Sequence, residues 1–260
     1  MSGFPEVHRP ATDTAARPLV MLHGGNVANW MWEPQLPALT DRTVLVPDLP
    51  GFGERVGERW PGLDAVADDI VERVTSNGVD GPFDLVGLSL GAVTALRVLA
   101  RHPDRVRSAF LTGAPLKPAG LGLRLVCRLQ LAFWRAPWFW LSQATAMGIP
   151  KDSRAQYVTH ALSVHPETAA AMNAEVCAGG VPADLRRYSG PLLAIVGEKE
   201  SAAVRDSLTV IAEAAPQAQL RLAPGMHHIW NVEDPNLFNG VLRSWLDGTT
   251  DPRLVPVRGA

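Results

Sequence analysis

The segment Gly87-Leu88-Ser89-Leu90-Gly91 combines a hydroxyl with two flanking glycines at a spacing that suits nucleophilic catalysis. It directly follows the apolar run 83–86 and directly precedes a helical pattern over residues 93–99. A sharp turn from strand to helix strains the backbone of its central residue and lifts that side chain clear of the sheet. A serine that only capped the helix would not require glycines two positions before and after it. We therefore predict that Ser89 is a catalytic nucleophile.

A serine hydroxyl becomes an effective nucleophile only when a base removes its proton. Among the seven histidines, His227 and His228 follow an apolar run, residues 219–223, and so are expected beyond the carboxyl end of a strand. Most single histidines cap helices or pack in cores, but ligand sites of α/β sheets lie at the carboxyl ends of the strands. This position favours a proton-accepting role for one of the two.

The base in such a pair needs a carboxylate that holds its ring. The apolar run 191–196 leads into a charged loop that contains Glu198 and Glu200, and both are candidates. Asp206, inside the next helical pattern, is a weaker one. A charged loop is ordinarily only a solvated turn. The assignment therefore depends on the chain order serine, glutamate, histidine, which accompanies this type of turn.

An oxyanion that develops during acyl transfer needs backbone N–H donors. The amide of Leu90 lies at the start of the helical pattern after Ser89, and the amide of Gly25 lies in the loop after the first apolar run. Glycine lets the backbone approach the reacting carbon closely. We predict Leu90 and Gly25 as the two donors, and His23 as a structural residue that supports the Gly25 loop.

The elements that must position these residues alternate along the chain. Short apolar runs bounded by Gly or Pro are typical of strands buried on both faces, and amphipathic stretches between them are typical of helices. The strand runs are residues 18–22, 43–46, 83–86, 106–112, 191–196 and 219–223, and the helical patterns are 63–75, 90–101, 202–214 and 235–246. This order predicts a doubly wound α/β fold with a mostly parallel sheet.

The alternation lapses over residues 116–188, where no strand run appears. We predict a helical cap inserted into a core made of residues 1–115 and 189–248, followed by a loose C-terminal tail, 249–260. Two cap residues, Trp134 and Trp138, are expected to line an apolar pocket, although packing inside the cap explains them equally well. The spacing of three arginines favours one solvated helix face, with an interfacial membrane helix as the alternative; they are Arg124, Arg128 and Arg135.

Composition sets aside several classes of protein. The 260 residues are 47% hydrophobic, which is too apolar for a disordered chain. The chain has 24 basic and 26 acidic residues, so it lacks the excess of positive charge that is typical of nucleic-acid-binding proteins. No signal peptide or integral membrane segment is evident. Cys127 and Cys177 match no metal-ligand or disulfide-framework spacing, so a reduced, cytoplasmic setting is expected and no cofactor or metal is implied. A homodimer is compatible with this composition.

The chain resembles the α/β-hydrolase superfamily, and within it the small cap-bearing bacterial esterases and C–C bond hydrolases. The resemblance rests on residues 22–25, 48–53, 87–91 and 224–235. It implies that Ser89 is the nucleophile and that Leu90 and Gly25 are the oxyanion donors. The interval to Glu233-Asp234-Pro235 makes His228 the base, and Glu200 stands where relatives usually have the aspartate acid.

The sequence also departs from the family pattern. His227 occupies a position where relatives often have glycine, and Glu54-Arg55 replaces a small hydroxyl residue. The N-terminal segment is shorter than the usual two leading strands, so we expect a trimmed sheet edge.

These residues predict a serine hydrolase that cleaves a carboxylic ester or related acyl bond of a small apolar substrate through an acyl-enzyme. The first alternative is hydrolysis of a C–C bond beside a ketone by the same residues. The second is a catalytically silent fold that binds a small molecule, since fold alone does not determine function.

Overall fold

The structure is a computed structural model that describes residues 4–11 and 16–257. Within these residues one eight-stranded sheet has the order β1-β3-β2-β4-β5-β6-β7-β8. The strands are β1 (Val7–His8), β2 (Leu19–Leu22), β3 (Val44–Leu45), β4 (Phe83–Leu88), β5 (Val106–Thr112), β6 (Leu192–Gly197), β7 (Gln219–Ala223) and β8 (Val255–Pro256). Strands β2 to β7 pair in parallel, whereas β1 and β8 pair antiparallel at the two edges. The predicted doubly wound, mostly parallel α/β fold is confirmed.

Helices cover the sheet, which explains why its central strands β2, β4 and β6 are largely apolar without alternation. Every residue of β2, β4 and β6 is buried, as expected for strands with both faces covered. The helices are α1 (Leu63–Ser76), α2 (Leu90–Arg101), α3 (Leu121–Ala132), α4 (Pro137–Ala146), α5 (Arg154–Ser163), α6 (Pro166–Ala178), α7 (Ala202–Arg205), α8 (Ser207–Ala214), α9 (Trp230–Glu233) and α10 (Pro235–Leu246).

The parallel order of the central strands gathers the candidate site residues. Strands β4, β5, β6 and β7 are consecutive neighbours in the sheet, so their carboxyl ends lie along one edge. Ser89 follows β4, Glu200 lies just after β6, and His228 lies in the loop after β7. Residues that are far apart in the chain are therefore brought to one end of the sheet.

The N-terminal sheet edge is short, as expected, whereas the C-terminal segment differs from the expectation. At the N-terminal edge, a single two-residue strand, β1, pairs with β3. The C-terminal segment, expected to be a loose tail, places β8 along the free edge of β7 and buries Leu254, which is 4% exposed. An unpaired edge strand presents unsatisfied N–H and C=O groups. Pairing with β8 at Arg221 and Leu222 covers part of this edge, which corrects the expectation for this segment. Residues 258–260 lie outside the described chain.

Residues 116–188 contain the four helices α3 to α6 and the short 3₁₀ helix Ala183–Arg187. Helix α3 packs against α6, and α4 packs against α5. Arg128 and Arg135 are exposed, whereas the side chain of Arg124 is outside the described part of the molecule. In the residues that the structure describes, no helix combines the length and the apolarity that crossing a bilayer requires.

Candidate active site

The turn between β4 and α2 holds Ser89 in a conformation that L-residues rarely adopt. Its φ is 55° and its ψ is −113°. Within the described residues, Ser89 shares a positive φ outside glycine only with Asn26. Strained backbone of this kind persists only where the surrounding structure enforces it. Here the enforcement comes from β4, which ends immediately before the serine, and from α2, which begins immediately after it.

Gly87 and Gly91 are required because the chain crosses itself closely at this turn. A Cβ atom built on Gly87 would lie 2.5 Å from the carbonyl oxygen of Gly91. One built on Gly91 would lie 2.8 Å from the carbonyl oxygen of His23. Both contacts are with backbone, which cannot move aside as a flexible side chain can. The two glycines therefore permit the geometry that exposes Ser89.

His228 and Glu200 form a hydrogen-bonded pair. Nδ1 of His228 lies 2.6 Å from Oε2 of Glu200. The other carboxylate oxygen of Glu200 accepts a hydrogen bond of 3.0 Å from the amide of Gly197, and the Glu200 side chain is 2% exposed. A buried carboxylate with two partners has a defined orientation. It holds the imidazole with Nδ1 toward the protein and leaves Nε2 for other contacts.

The charge of Glu200 changes the proton affinity of His228. Burial is the largest single effect and by itself disfavours the imidazolium. The charge of Glu200 and its hydrogen bond together outweigh burial, so the pKa of His228 is raised above its ordinary value. This pairing makes the imidazole a stronger base than an isolated buried histidine.

Gly113, directly after β5, is a site residue that the sequence analysis missed. Its φ is +64°, and a Cβ built on it would lie 2.8 Å from Cε1 and 2.9 Å from Nδ1 of His228. Any larger side chain would displace the imidazole from Glu200. A glycine at the end of a predicted strand was the available signal, since such positions often mark close approach of the backbone to another group.

Ser89 and His228 line one cavity with a volume of about 480 Å³. Gly25, Leu90 and Glu200 also line it. The five predicted residues of the reaction centre are thus brought together at the carboxyl edge of the sheet. The far wall is contributed by the α3–α6 region and includes Cys127, Gln130, Gln143, Met172 and Cys177.

The alternatives to His228 and Glu200 have other partners. Nδ1 of His227 lies 2.7 Å from Oε1 of Glu233, and the His227 amide donates to Oε2 of Glu233 at 2.8 Å. Oε2 of Glu198 accepts from the amide of Gly225 at 2.7 Å, at an exposed position. These bonds shape the loop after β7. They direct His227 and Glu198 away from the hydrogen bond that joins His228 to Glu200.

His23 supports the loop that carries Gly25. Its Nδ1 donates to the carbonyl of Gly24 at 2.7 Å, and its Nε2 accepts from the amide of Leu49 at 3.0 Å. Burial lowers the pKa of His23, with only partial opposition from the charge of Asp48. The ring is therefore neutral with its proton on Nδ1, the tautomer that both hydrogen bonds require.

Arg55, part of an unexplained departure from the family pattern, stabilises the neighbouring loop. Its guanidinium lies 2.6 Å from a carboxylate oxygen of Asp69 and 2.7 Å from one of Glu58, and it also donates to the carbonyl of Asp48. The amide of Glu54 donates to the side chain of Asp48 at 2.9 Å. Glu54 and Arg55 thus hold the loop that contains Asp48 in place through these hydrogen bonds and ion pairs.

Trp134 and Trp138, expected to line the pocket, are not among the described residues that line it. Trp134 is 3% exposed, packs edge-to-face on Trp140 with ring centroids 4.7 Å apart, and donates to the carbonyl of Val164. Trp138 is 60% exposed and packs on Phe133. The expectation is corrected: Trp134 is buried within the α3–α6 region and Trp138 lies on its surface. Local composition does not determine which helix face turns toward the cavity.

Several known proteins are similar to this chain. A family model described as the alpha/beta hydrolase family matches residues 19–241. The putative carbamate hydrolase RutD of Agrobacterium fabrum is 28% identical over 255 residues, covering 93% of this chain and 97% of that protein. The pimeloyl-(acyl-carrier protein) methyl ester esterase of Neisseria meningitidis serogroup B is 36% identical over 109 residues, covering 41% of this chain. That match spans 40% of the length of the esterase.

A solved structure extends the likeness to the whole chain. The thermophilic esterase from Thermogutta terrifontis superposes with a TM-score of 0.75 at 25% identity, covering 94% of this chain and 93% of that one. Given a family model that matches most of the chain and a structural neighbour that spans nearly all of it, the chain belongs to the alpha/beta hydrolase family.

Proposed function

We propose that this protein is a serine hydrolase that cleaves a carboxylic ester, or a related acyl bond, of a small apolar molecule. One observation carries the proposal: Ser89, on a strained turn, lines the same cavity as His228, whose Nδ1 lies 2.6 Å from Glu200. A nucleophile, a base and a carboxylate that orients the base are the components of covalent acyl transfer.

The proposed reaction begins when Oγ of Ser89 attacks the carbonyl carbon of the ester while Nε2 of His228 takes the hydroxyl proton. The amides of Gly25 and Leu90 stabilise the oxyanion, and Glu200 stabilises the imidazolium. The tetrahedral intermediate collapses as His228 passes the proton to the leaving alcohol. Water, deprotonated by His228, then attacks the acyl-serine, and His228 returns this proton to Oγ of Ser89 as the acid is released.

The side chains that line the cavity favour binding of an apolar acyl or alcohol group. Residues of both the core and the cap contribute hydrocarbon or thioether surface, among them Val27, Leu88, Met147, Met172 and Ile229. Relatives named as an ester esterase and as a putative carbamate hydrolase both point to acyl bonds. We therefore favour an ester as the first substrate class to test.

A panel of p-nitrophenyl esters graded from acetyl to dodecanoyl tests this function, together with a 1,5-diketone as a C–C substrate. We expect ester hydrolysis with kcat/KM of about 10⁴ M⁻¹ s⁻¹ or more for the preferred acyl length, the lower end of the usual enzymatic range. Cleavage of the diketone alone would replace the proposal with C–C hydrolysis. Saturable binding of esters without turnover would replace it with the silent binding fold.

Glu200→Gln is expected to lower kcat for the preferred ester by about 10³–10⁴-fold, because the amide cannot stabilise the imidazolium. The charge of Glu200 raises the pKa of His228, and only the neutral imidazole accepts a proton. Wild-type kcat/KM should therefore rise with pH to a plateau, and the midpoint of this rise should lie above the ordinary histidine pKa of 6.5. In Glu200→Gln the midpoint of the residual activity should move to lower pH.

Glu198→Gln is the matched control for this prediction. The side chain of Glu198 is hydrogen-bonded to the Gly225 amide on an exposed turn, so kcat should stay within about tenfold and the pH midpoint should not move. Measured pH profiles of kcat/KM for both variants decide the assignment. A larger loss in Glu198→Gln would transfer the acid role to Glu198.

A further inference from the structure

Two cysteines from different helices meet on the wall of the cavity. Sγ of Cys127, on α3, lies 3.3 Å from Sγ of Cys177, on α6. The two residues are 50 positions apart in the chain, and both line the cavity that contains Ser89. Both side chains are partly exposed and both are free thiols. A small reagent that enters the cavity therefore reaches both sulfur atoms.

The contact joins two helices through their inner faces. Helix α3 packs against α6, while its outer stripe is open: Leu121, Leu125 and Leu129 are 87%, 56% and 41% exposed. The thiol contact is thus part of the attachment of α3 to the rest of the cap. Burial, followed by the hydrogen bond between the two sulfur atoms, raises the pKa of Cys127 to about 12. Cys127 therefore remains a thiol near neutral pH.

We propose that Cys127 and Cys177 form a modification site, at which a small-molecule disulfide converts the two thiols into an intramolecular disulfide on the wall of the catalytic cavity. The thiolate of one cysteine attacks a sulfur of the reagent, whose S–S bond breaks and releases one thiolate. The second cysteine, after losing its proton to solvent, attacks the mixed disulfide and releases the other. Overall, two protein thiols lose two protons and two electrons, and one reagent disulfide takes them up to become two thiols.

The new bond ties α3 to α6 beside the substrate. A sulfur–sulfur bond is about 2.05 Å long, shorter than the present contact of 3.3 Å, so the two sulfur atoms move closer and the bond then limits the separation of the two helices. The wall next to Gln130 and Val176, which flank the cysteines and line the cavity, loses its freedom to move apart. Long acyl chains need more of that space than short ones, so the disulfide lowers kcat/KM most for long-chain esters.

The test uses the whole reduced protein and one equivalent of 2,2′-dithiodipyridine, which reacts with thiols and leaves methionines intact. We expect two thiopyridones released per chain, a mass lower by two hydrogen atoms, and a peptide cross-linked between Cys127 and Cys177. We also expect kcat/KM for dodecanoyl ester to fall by about threefold or more, with a smaller fall for acetyl ester, and both to recover with dithiothreitol.

Cys127→Ser and Cys177→Ser are the matched controls, each compared before and after reagent rather than with wild type. Either variant should form only a mixed disulfide, which retains one thiopyridyl group and produces no cross-linked peptide. Mixed disulfides, intermolecular dimers or unreacted thiols in the wild type would overturn the site. A cross-link that leaves kcat/KM for dodecanoyl ester unchanged would overturn its effect on the cavity.

The kinetic part rests on the proposed ester hydrolysis, whereas the mass and the cross-linked peptide do not. If the reduced protein hydrolyses no ester, the proposed function fails on that measurement alone. Formation or absence of the Cys127–Cys177 peptide then still decides whether the modification site exists.

Discussion

Ser89→Ala is expected to lower kcat for the preferred ester by about 10⁴–10⁶-fold, since removing the nucleophile of a catalytic triad has costs of this order in a serine protease. The residual rate should come from binding and the oxyanion donors alone. Folding should be retained, because the main constraint on this turn comes from Gly87 and Gly91 rather than from the hydroxyl. Alanine at φ 55° keeps the strain that serine already has there.

Labelling with a fluorophosphonate probe, followed by peptide mass spectrometry, tests the nucleophilic role of Ser89 without any substrate. The adduct should be on Ser89 in the wild type and absent in Ser89→Ala, with the thermal unfolding midpoint little changed. Ser201 also lines the cavity, so Ser201→Ala is the matched control and should remain labelled at Ser89. A folded wild-type protein that forms no adduct at Ser89 would support the silent binding fold.

His228→Ala is expected to lower kcat by about 10⁴–10⁶-fold as well, because without a base Ser89 stays protonated during attack. His227→Ala should retain kcat within about tenfold. His227 is bonded to Glu233 through both its ring and its amide, so its loss should weaken the loop after β7 more than the chemistry. In His227→Ala the thermal unfolding midpoint should therefore fall, while kcat changes little.

Pre-steady-state release of p-nitrophenol separates the two variants. His228→Ala should show no acylation burst, whereas His227→Ala should show a burst of wild-type amplitude. Comparable loss of acylation in His227→Ala would mean that either ring reaches Ser89. The reverse pattern, with activity lost only in His227→Ala, would reassign the base.

Much of the central sheet could be predicted from the chain alone. The apolar runs 106–112 and 219–223 coincide with β5 and β7, and the patterns 90–101 and 235–246 coincide with α2 and α10. Strands covered on both faces need continuous apolar sequence, so their signal is local. Strands β1 and β8 have two residues each, and their pairing depends on a neighbouring edge rather than on their own composition.

The glycines around Ser89 also acted as a local signal, because a turn of this kind constrains residues only two positions away. The residues alone left Glu198 beside Glu200 and His227 beside His228. Adjacent loop positions differ in the direction of their side chains, which depends on the partners that fold against them. The distance of 2.6 Å between His228 and Glu200 joins residues 28 positions apart, and no sequence period encodes it.

By itself, the sequence determined the order of the central strands and their flanking helices, the strained serine turn and the class of chemistry that the turn allows, since each depends on neighbours in the chain. Only the tertiary structure decided which carboxylate meets which histidine, that Trp134 and Trp138 lie away from the cavity, and that Cys127 and Cys177 touch. These features depend on how helix faces turn when separate segments pack together. Packing minimises exposed apolar surface over the whole molecule, and no single segment contains that information.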